Sequence, residues 1–204
     1  MHPWRERLAR WFTPLARRIP ISPNAITVIA LALNIIAAAC LAYGDQGPRL
    51  FLIAILLIAI SGLADALDGI VARVQNKTTR FGDFFDHCAD RFGDTVLAAC
   101  WLIGNNVRQP LAMAGIIMTM MNGYIGTQIE ATYGKRSYET IGRGEFVLGI
   151  IVLPIISYIL FTNGWQAVRF ASLTVAEWLA TVMLVFAFYG VVQRFRVAAR
   201  LERS

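Results

Sequence analysis

The chain has 204 residues, of which 57% are hydrophobic and only 16% are charged, with a net charge of +6. A soluble domain of this length carries about 45–50% apolar and about 25% charged residues. A water-exposed surface is hard to build from this composition, which therefore excludes an ordinary soluble domain. The three cysteines have no C-x-x-C spacing, and we interpret them as small buried hydrophobic residues.

The chain begins with a basic, aromatic segment. Residues 2–18 alternate Trp, Leu and Phe side chains with five arginines. This pattern predicts a helix in the headgroup plane, with aromatic rings inserted into the bilayer and arginines facing lipid phosphates. A nucleic-acid-binding arm would not need the aromatic spacing. The segment also lacks the continuous apolar stretch of a cleavable signal peptide.

Long uncharged runs follow. They cover residues 19–44, 50–64, 110–129 and 146–168. A bilayer core requires about 20 apolar residues per helix, so these runs predict membrane-spanning helices. Ser22 followed by Pro23 is typical of an N-cap with proline at the first helical position, and predicts a first helix that ends near residue 43. The other predicted helices cover about residues 49–73, 81–103, 110–133, 143–161 and 173–200.

The predicted fold is all-α: an integral membrane bundle of six transmembrane helices at residues 22–200, preceded by the interfacial helix at 2–18. The connections are short, which predicts a single domain over residues 1–204.

The basic residues predict the orientation of this bundle. With six spans, only Arg49, Arg108 and Arg169 lie on one side, and the other Lys and Arg residues lie on the opposite side. The positive-inside rule then places both termini on the cytoplasmic side of the cytoplasmic membrane.

The acidic residues near the second predicted loop suggest the chemistry. Asp65 and Asp68 are three residues apart on the second helix, and Asp86 and Asp90 are four apart on the third, so each pair shares a helix face. Antiparallel neighbouring helices can bring the pairs together on the cytoplasmic side. Oxygen ligands favour Mg²⁺ or Mn²⁺, and four carboxylates suit two ions that hold phosphate oxygens.

Small and basic residues accompany the acids. Gly69 leaves space for a ligand beside Asp68, Gly82 is expected to open the facing helix in the same way, and Arg73 is placed to reach a phosphate. Simple surface ion pairs would not require this arrangement. A cation transporter is the alternative from another class, since intramembrane carboxylates also mark ion pathways.

The same stretch resembles a known family. It has the form D-x-x-D-G-x-x-A-R, eight further residues, then G-x-x-x-D-x-x-x-D. This is similar to the signature of the CDP-alcohol phosphotransferases, integral membrane enzymes of phospholipid synthesis. The matching positions are Asp65, Asp68, Gly69, Ala72, Arg73, Gly82, Asp86 and Asp90.

The resemblance implies a role for each matching residue. Asp65, Asp68, Asp86 and Asp90 would bind the metal ions, and Asp90 would also deprotonate the attacking hydroxyl. The CDP-lipid contacts implied by the family are Asn24, Ala25, Ile26, Thr27, Gly69, Ala72, Arg73, Thr79 and Gly82. The implied reaction is attack of an alcohol on the β-phosphorus of the donor, with release of CMP. The resemblance also implies a homodimer.

Within the family, the chain is most similar to phosphatidylinositol phosphate synthases, through its TPLARRI and SPNAIT stretches. This similarity suggests Arg143 and Arg194 as acceptor-binding residues, and Lys135, with Arg136, is the candidate to compensate for cations that the chain lacks. Cations of the family pattern are replaced here by Gly126, Gln128 and Phe146, the last of which follows the start of the fifth predicted helix.

The acceptor alcohol therefore stays open. Inositol phosphate is the first expectation, with glycerol phosphate, free inositol and serine as rivals. The expected donor is CDP-diacylglycerol or its archaeal ether equivalent. The reversed reaction, in which CDP-choline or CDP-ethanolamine reacts with a lipid alcohol, is a further alternative.

Overall fold

A computed structural model describes residues 12–134 and 143–202, with the side chains of residues 143–147 outside that description. The described chain is mostly helical. Each predicted helix is present, with ends within two residues of the prediction. The helices are α1 (Pro23–Ala42), α2 (Arg49–Val74), α3 (Arg80–Gly104), α4 (Gln109–Tyr133), α5 (Arg143–Thr162) and α6 (Val175–Leu201).

Side-chain caps fix several helix ends. The predicted N-cap of α1 is confirmed, since the Ala25 amide donates to Oγ of Ser22 at 3.3 Å. Thr174 and Glu177 form a capping box at the start of α6, in which each side chain accepts a hydrogen bond from the other residue's amide. Gly134 ends α4 with a φ of 66°, a conformation that glycine adopts without strain.

A short hairpin precedes α6 and was not predicted. Its strands are β1 (Arg169–Phe170) and β2 (Leu173–Thr174), paired antiparallel. Ala171 and Ser172 turn the chain between them with positive φ angles. The expected start of the last helix at residue 173 is therefore two residues too early, because Leu173 and Thr174 pair with β1 before Thr174 caps the helix.

The main core lies at the end of the bundle away from the acidic residues. Its largest fully buried side chains include Trp101 of α3, Phe51 of α2 and Leu41 of α1. The indole Nε1 of Trp101 donates to Oγ of Ser157 on α5 at 3.0 Å. A side chain at Gly104 would collide with the carbonyl oxygen of Leu41, so this glycine allows the ends of α1 and α3 to meet.

Three of the described helices are long and apolar enough to cross a membrane: α1, α2 and α6. Large apolar side chains are exposed along them, including Leu56, Leu63 and Phe186. An exposed apolar surface of this extent is typical of contact with lipid. The polar residues of α3 lower its mean hydropathy although its length is sufficient, and six spans remain a prediction.

The N-terminal segment is tied to the end of α2. Residues 12–16 form a short helical turn. Nε2 of Gln75 donates to the carbonyl oxygens of Ala16 and Ile19 at 2.8 and 2.9 Å. Ala16 is fully buried in a small cluster with residues of α1 and α2. Most of the predicted interfacial helix, before residue 12, lies outside the described residues.

Candidate active site

Both predicted carboxylate pairs meet where α2 ends and α3 begins. Ligand atoms of Asp65, Asp68 and Asp86 all lie within 4.8 Å of one another. A second group consists of Asp86, His87 and Asp90, whose ligand atoms also lie within 4.8 Å of one another. Asp86 belongs to both groups, so it connects the α2 pair with Asp90.

Asp68 is the most enclosed of these carboxylates, with 6% of its surface exposed. The hydroxyl of Thr27 on α1 donates to its Oδ2 at 2.6 Å. This short bond to an ionised group fixes the orientation of the carboxylate. The first turns of α1 therefore contribute to the acidic site through a side chain that binds one of its carboxylates.

His87 follows Asp86 directly on α3, and this backbone position alone would direct its side chain about 100° away from Asp86. The imidazole nevertheless lies beside the acidic residues. A ring nitrogen of His87 belongs to the group with Asp86 and Asp90, and its Nε2 lies 3.9 Å from Oδ1 of Asp83. The flexible imidazole reaches back across the helix surface, which backbone spacing alone does not predict.

The surface beside Gly69 is open. A Cβ at this position would meet only Nη2 of Arg73, at 4.0 Å. Nε of Arg73 donates to the Gly69 carbonyl at 2.9 Å, which holds the exposed guanidinium over this part of α2. Gly69 and Arg73 together leave a cationic surface next to Asp68 that an anionic ligand can approach.

Gly82 does not leave open space, so the expectation for this glycine was wrong. A Cβ there would lie 3.0 Å from Oγ1 of Thr79 and 3.1 Å from Oδ1 of Asn24. The glycine instead allows the start of α3 to pack on the start of α1. Thr79 is the N-cap of α3, and its Oγ1 accepts a hydrogen bond from the Gly82 amide at 2.9 Å.

The other predicted contact residues have different surroundings. Ile26 is 8% exposed and packs in the cluster around Ala16, while Ala25 and Ala72 are half-buried. Lys135 and the side chain of Arg143 lie outside the described residues.

The side chain of Arg194 extends from α6 to α4. Its Nε donates to Oδ1 of Asn122 at 2.7 Å, and its guanidinium lies against Gly126. The position on α4 where a cation was missing from the sequence is thus filled by an arginine from another helix. Sequence reasoning missed Asn122; an amide within the uncharged run of residues 110–129 is the signal that could have identified it.

The acidic site fits a divalent cation. Its donors are oxygen atoms of Asp65, Asp68 and Asp86 within 4.8 Å of one another. Several carboxylates this close repel one another unless a positive charge lies between them. Hard cations such as Mg²⁺ and Mn²⁺ prefer such oxygen ligands.

The fold and the site together define an integral membrane enzyme whose carboxylate cluster can bind a divalent metal. Residues 20–189 match the family model described as CDP-alcohol phosphatidyltransferase. The chain belongs to this family and is a transferase.

Two curated relatives illustrate the similarity. The archaetidylinositol phosphate synthase of Aeropyrum pernix is 30% identical over 202 residues, which cover 98% of this chain and 95% of the relative. The archaetidylinositol phosphate synthase of Pyrococcus horikoshii is 26% identical over 145 residues, which cover 71% of this chain and 68% of the relative.

The fold is also similar to solved structures of the phosphatidylinositol phosphate synthase of Mycobacterium tuberculosis. The structure in complex with manganese and citrate has a TM-score of 0.69 at 22% identity, covering 91% of this chain and 88% of that protein. The structure with CDP-DAG bound has a TM-score of 0.65 at 24% identity, covering 93% and 94%. At these identities the likeness shows the fold.

Proposed function

We propose that the protein transfers a phosphatidyl group from CDP-diacylglycerol to inositol phosphate and releases CMP. The main support for this proposal is that the two aspartate pairs lie together, with Asp86 belonging to both groups of possible metal ligands. An acidic centre beside an open cationic surface suits displacement at the phosphorus of a nucleotide-activated lipid. The names of the relatives support inositol phosphate as the acceptor, and the CDP-DAG of the mycobacterial structure supports the donor.

Asp65, Asp68, Asp86 and Asp90 are the proposed metal ligands, for two Mg²⁺ or Mn²⁺ ions. Bound ions would neutralise the charge of the donor's phosphates and of the transition state. The manganese in the mycobacterial structure supports a divalent cation of this kind. Thr27 would keep the carboxylate of Asp68 oriented for this role.

The chain's own side chains would carry the remaining steps. The acceptor hydroxyl attacks the β-phosphorus, the bond from this phosphorus to the bridging oxygen breaks, and CMP leaves with that oxygen. Asp90 accepts the hydroxyl proton. Arg73 would bind a donor phosphate over the open surface of Gly69. The CDP moiety would contact the start of α1, at Asn24, Ala25 and Ile26.

The acceptor's phosphate would lie beside Arg194, helped by Arg143 and Lys135. The half-buried guanidinium of Arg194 has a neutral hydrogen-bond partner in Asn122, so its charge is available to an anion. This supports a phosphorylated acceptor in preference to free inositol or serine.

We further propose that residues 1–204 form one domain with six spans and an interfacial N-terminal helix, with both termini and the site at the cytoplasmic leaflet. The apolar surfaces of α1, α2 and α6 and the distribution of Lys and Arg support this topology. A site at the ends of α2 and α3 would be reached by a lipid donor from the bilayer.

An acceptor panel tests the proposal. Full-length protein in liposomes receives CDP-diacylglycerol and Mg²⁺ with one candidate alcohol at a time: inositol phosphate, glycerol phosphate, inositol or serine. We expect CMP and a new phospholipid only with inositol phosphate. Activity with another alcohol alone would show that this alcohol, and not inositol phosphate, is the acceptor. Ion flux without CMP release would favour a transporter.

A further inference from the structure

Two arginines from neighbouring helices pack on a glycine face of α4. A Cβ at Gly123 would lie 2.6 Å from Cδ and 2.9 Å from Nη1 of Arg91 on α3. About one turn further along α4, a Cβ at Gly126 would collide with Nη1 of Arg194. The two glycines therefore leave the space in which these guanidinium groups lie.

The two arginines differ in how their charges are balanced. Nη2 of Arg91 lies 3.2 Å from Oδ2 of Asp94, one turn along the same helix. In the described part of the chain, Arg194 has a single side-chain hydrogen bond, from Nε to Oδ1 of Asn122, and no carboxylate within ion-pair distance. An amide oxygen accepts this bond without cancelling the positive charge.

This arrangement fixes Arg194 through the inner part of its guanidinium. The bond to Asn122 uses Nε, and Gly126 lets Nη1 lie against the α4 backbone. Within residues 12–134 and 148–202, neither Nη group makes a hydrogen bond, so both have donors for a ligand. A half-buried cation within a membrane helix is costly and marks a functional site, and paired Nη donors match the oxygens of a phosphate.

We propose that Asn122 and Gly126 are positioning residues that fix Arg194 for recognition of the acceptor's phosphate. Gly126 gives the guanidinium access to α4, and Asn122 holds Nε so that the Nη groups face the ligand. These two residues thereby favour a phosphorylated acceptor over the free alcohol. The inference rests on the proposed function, in which Arg194 binds that phosphate.

Asn122→Ala and Gly126→Ala test the positioning. In Gly126→Ala the new methyl group meets only the end of a flexible side chain, so the helix can persist while Arg194 moves. For both variants we expect the KM for inositol phosphate to rise about tenfold, the scale of one hydrogen bond to a charged group. The KM for CDP-diacylglycerol should change by less than about twofold.

Asn122→Asp tests whether Asn122 positions the charge of Arg194 or only packs α4 against α6. The carboxylate keeps an acceptor oxygen in place for Nε, but its negative charge neutralises Arg194. We expect a rise in the KM for inositol phosphate of about tenfold or more, with the melting temperature retained. If Asn122 only joined α4 to α6, Asn122→Asp would behave as wild type.

Matched controls are available on α5 and just beyond its end. Nδ2 of Asn163 donates to the carbonyl of Ile159 nearby in the chain, and a Cβ at Gly149 would meet nothing within 4 Å. Asn163→Ala and Gly149→Ala should retain the wild-type KM for both substrates.

Two results would overturn the inference, and they differ in what they say about the reaction. The positioning role alone would be rejected if the wild-type protein uses inositol phosphate and the KM for inositol phosphate is unchanged in all three variants, Asn122→Ala, Asn122→Asp and Gly126→Ala. Wild-type turnover only with unphosphorylated alcohols would reject both the positioning role and the proposed acceptor.

Discussion

The hydroxyl of Thr27 on α1 donates to Oδ2 of Asp68 on α2 at 2.6 Å, and both residues are buried. This bond connects the first helix to the acidic cluster formed by α2 and α3. Because Asp68 has Asp65 and Asp86 as close neighbours, the orientation of its carboxylate determines how well the cluster can receive a cation.

Thr27→Val should weaken metal binding. The substitution keeps the shape of the side chain but removes the donor to Asp68, a bond to a charged group that contributes about 1.5–3 kcal/mol. We expect the Mg²⁺ concentration for half-maximal CMP release to rise about tenfold. Thr181→Val, which removes a hydroxyl bonded to its own helix, is the control. An unchanged Mg²⁺ dependence in Thr27→Val would argue against this role.

Gly69→Ala should separate stability from activity. Alanine is favoured over glycine within a helix by about 1 kcal/mol, and the nearest atom to the new Cβ is 4.0 Å away. We therefore expect an equal or higher melting temperature but a higher KM for CDP-diacylglycerol. Gly62→Ala, also on α2 and with nothing within 4 Å, should gain the same stability without the change in KM. Equal KM values in the two variants would contradict an open ligand surface at Gly69.

Asp90→Asn should remove the proposed base. Turnover should fall by about 10²-fold or more, the usual contribution of a general base, while the affinity for CDP-diacylglycerol stays close to that of wild type. Asp83→Asn, an exposed carboxylate on the same helix, is the control and should remain active. Joint loss of binding and turnover in Asp90→Asn would make Asp90 chiefly a metal ligand.

Ser157→Ala should affect stability alone. The Nε1 donor of Trp101 would lose its partner in the main core, and an unsatisfied buried donor costs about 1–3 kcal/mol. A lower melting temperature is expected, with both KM values unchanged in the folded protein. A changed KM would show that the main core is coupled to the site.

Much of the local structure follows from the sequence. Apolar runs, the Ser22 cap and the turn residues predict helix ends closely, because these signals act between near neighbours in the chain. The hairpin before α6 was missed, since two-residue strands carry almost no periodic signal. In the fold it is defined by the antiparallel pairing of β1 with β2 and by the positive φ angles of Ala171 and Ser172.

The contacts that shape the candidate site are harder to predict. The spacing of the aspartates predicts their convergence, but the bonds from Thr27 to Asp68 and from Arg194 to Asn122 join residues 41 and 72 positions apart. Such pairs depend on helix packing. In the sequence, Gly126 stands where the family pattern has a cation. In the fold, the missing side chain of Gly126 leaves room for the guanidinium of Arg194.

Dependence of CMP release on divalent metal, measured in wild type and Asp86→Asn, tests the central claim most directly. Asp86 belongs to both ligand groups, so its loss should affect the whole centre. We predict that EDTA abolishes wild-type CMP release from CDP-diacylglycerol and inositol phosphate, that Mg²⁺ or Mn²⁺ restores it, and that neither ion restores Asp86→Asn. Metal-independent CMP release, or full activity of Asp86→Asn, would contradict the account.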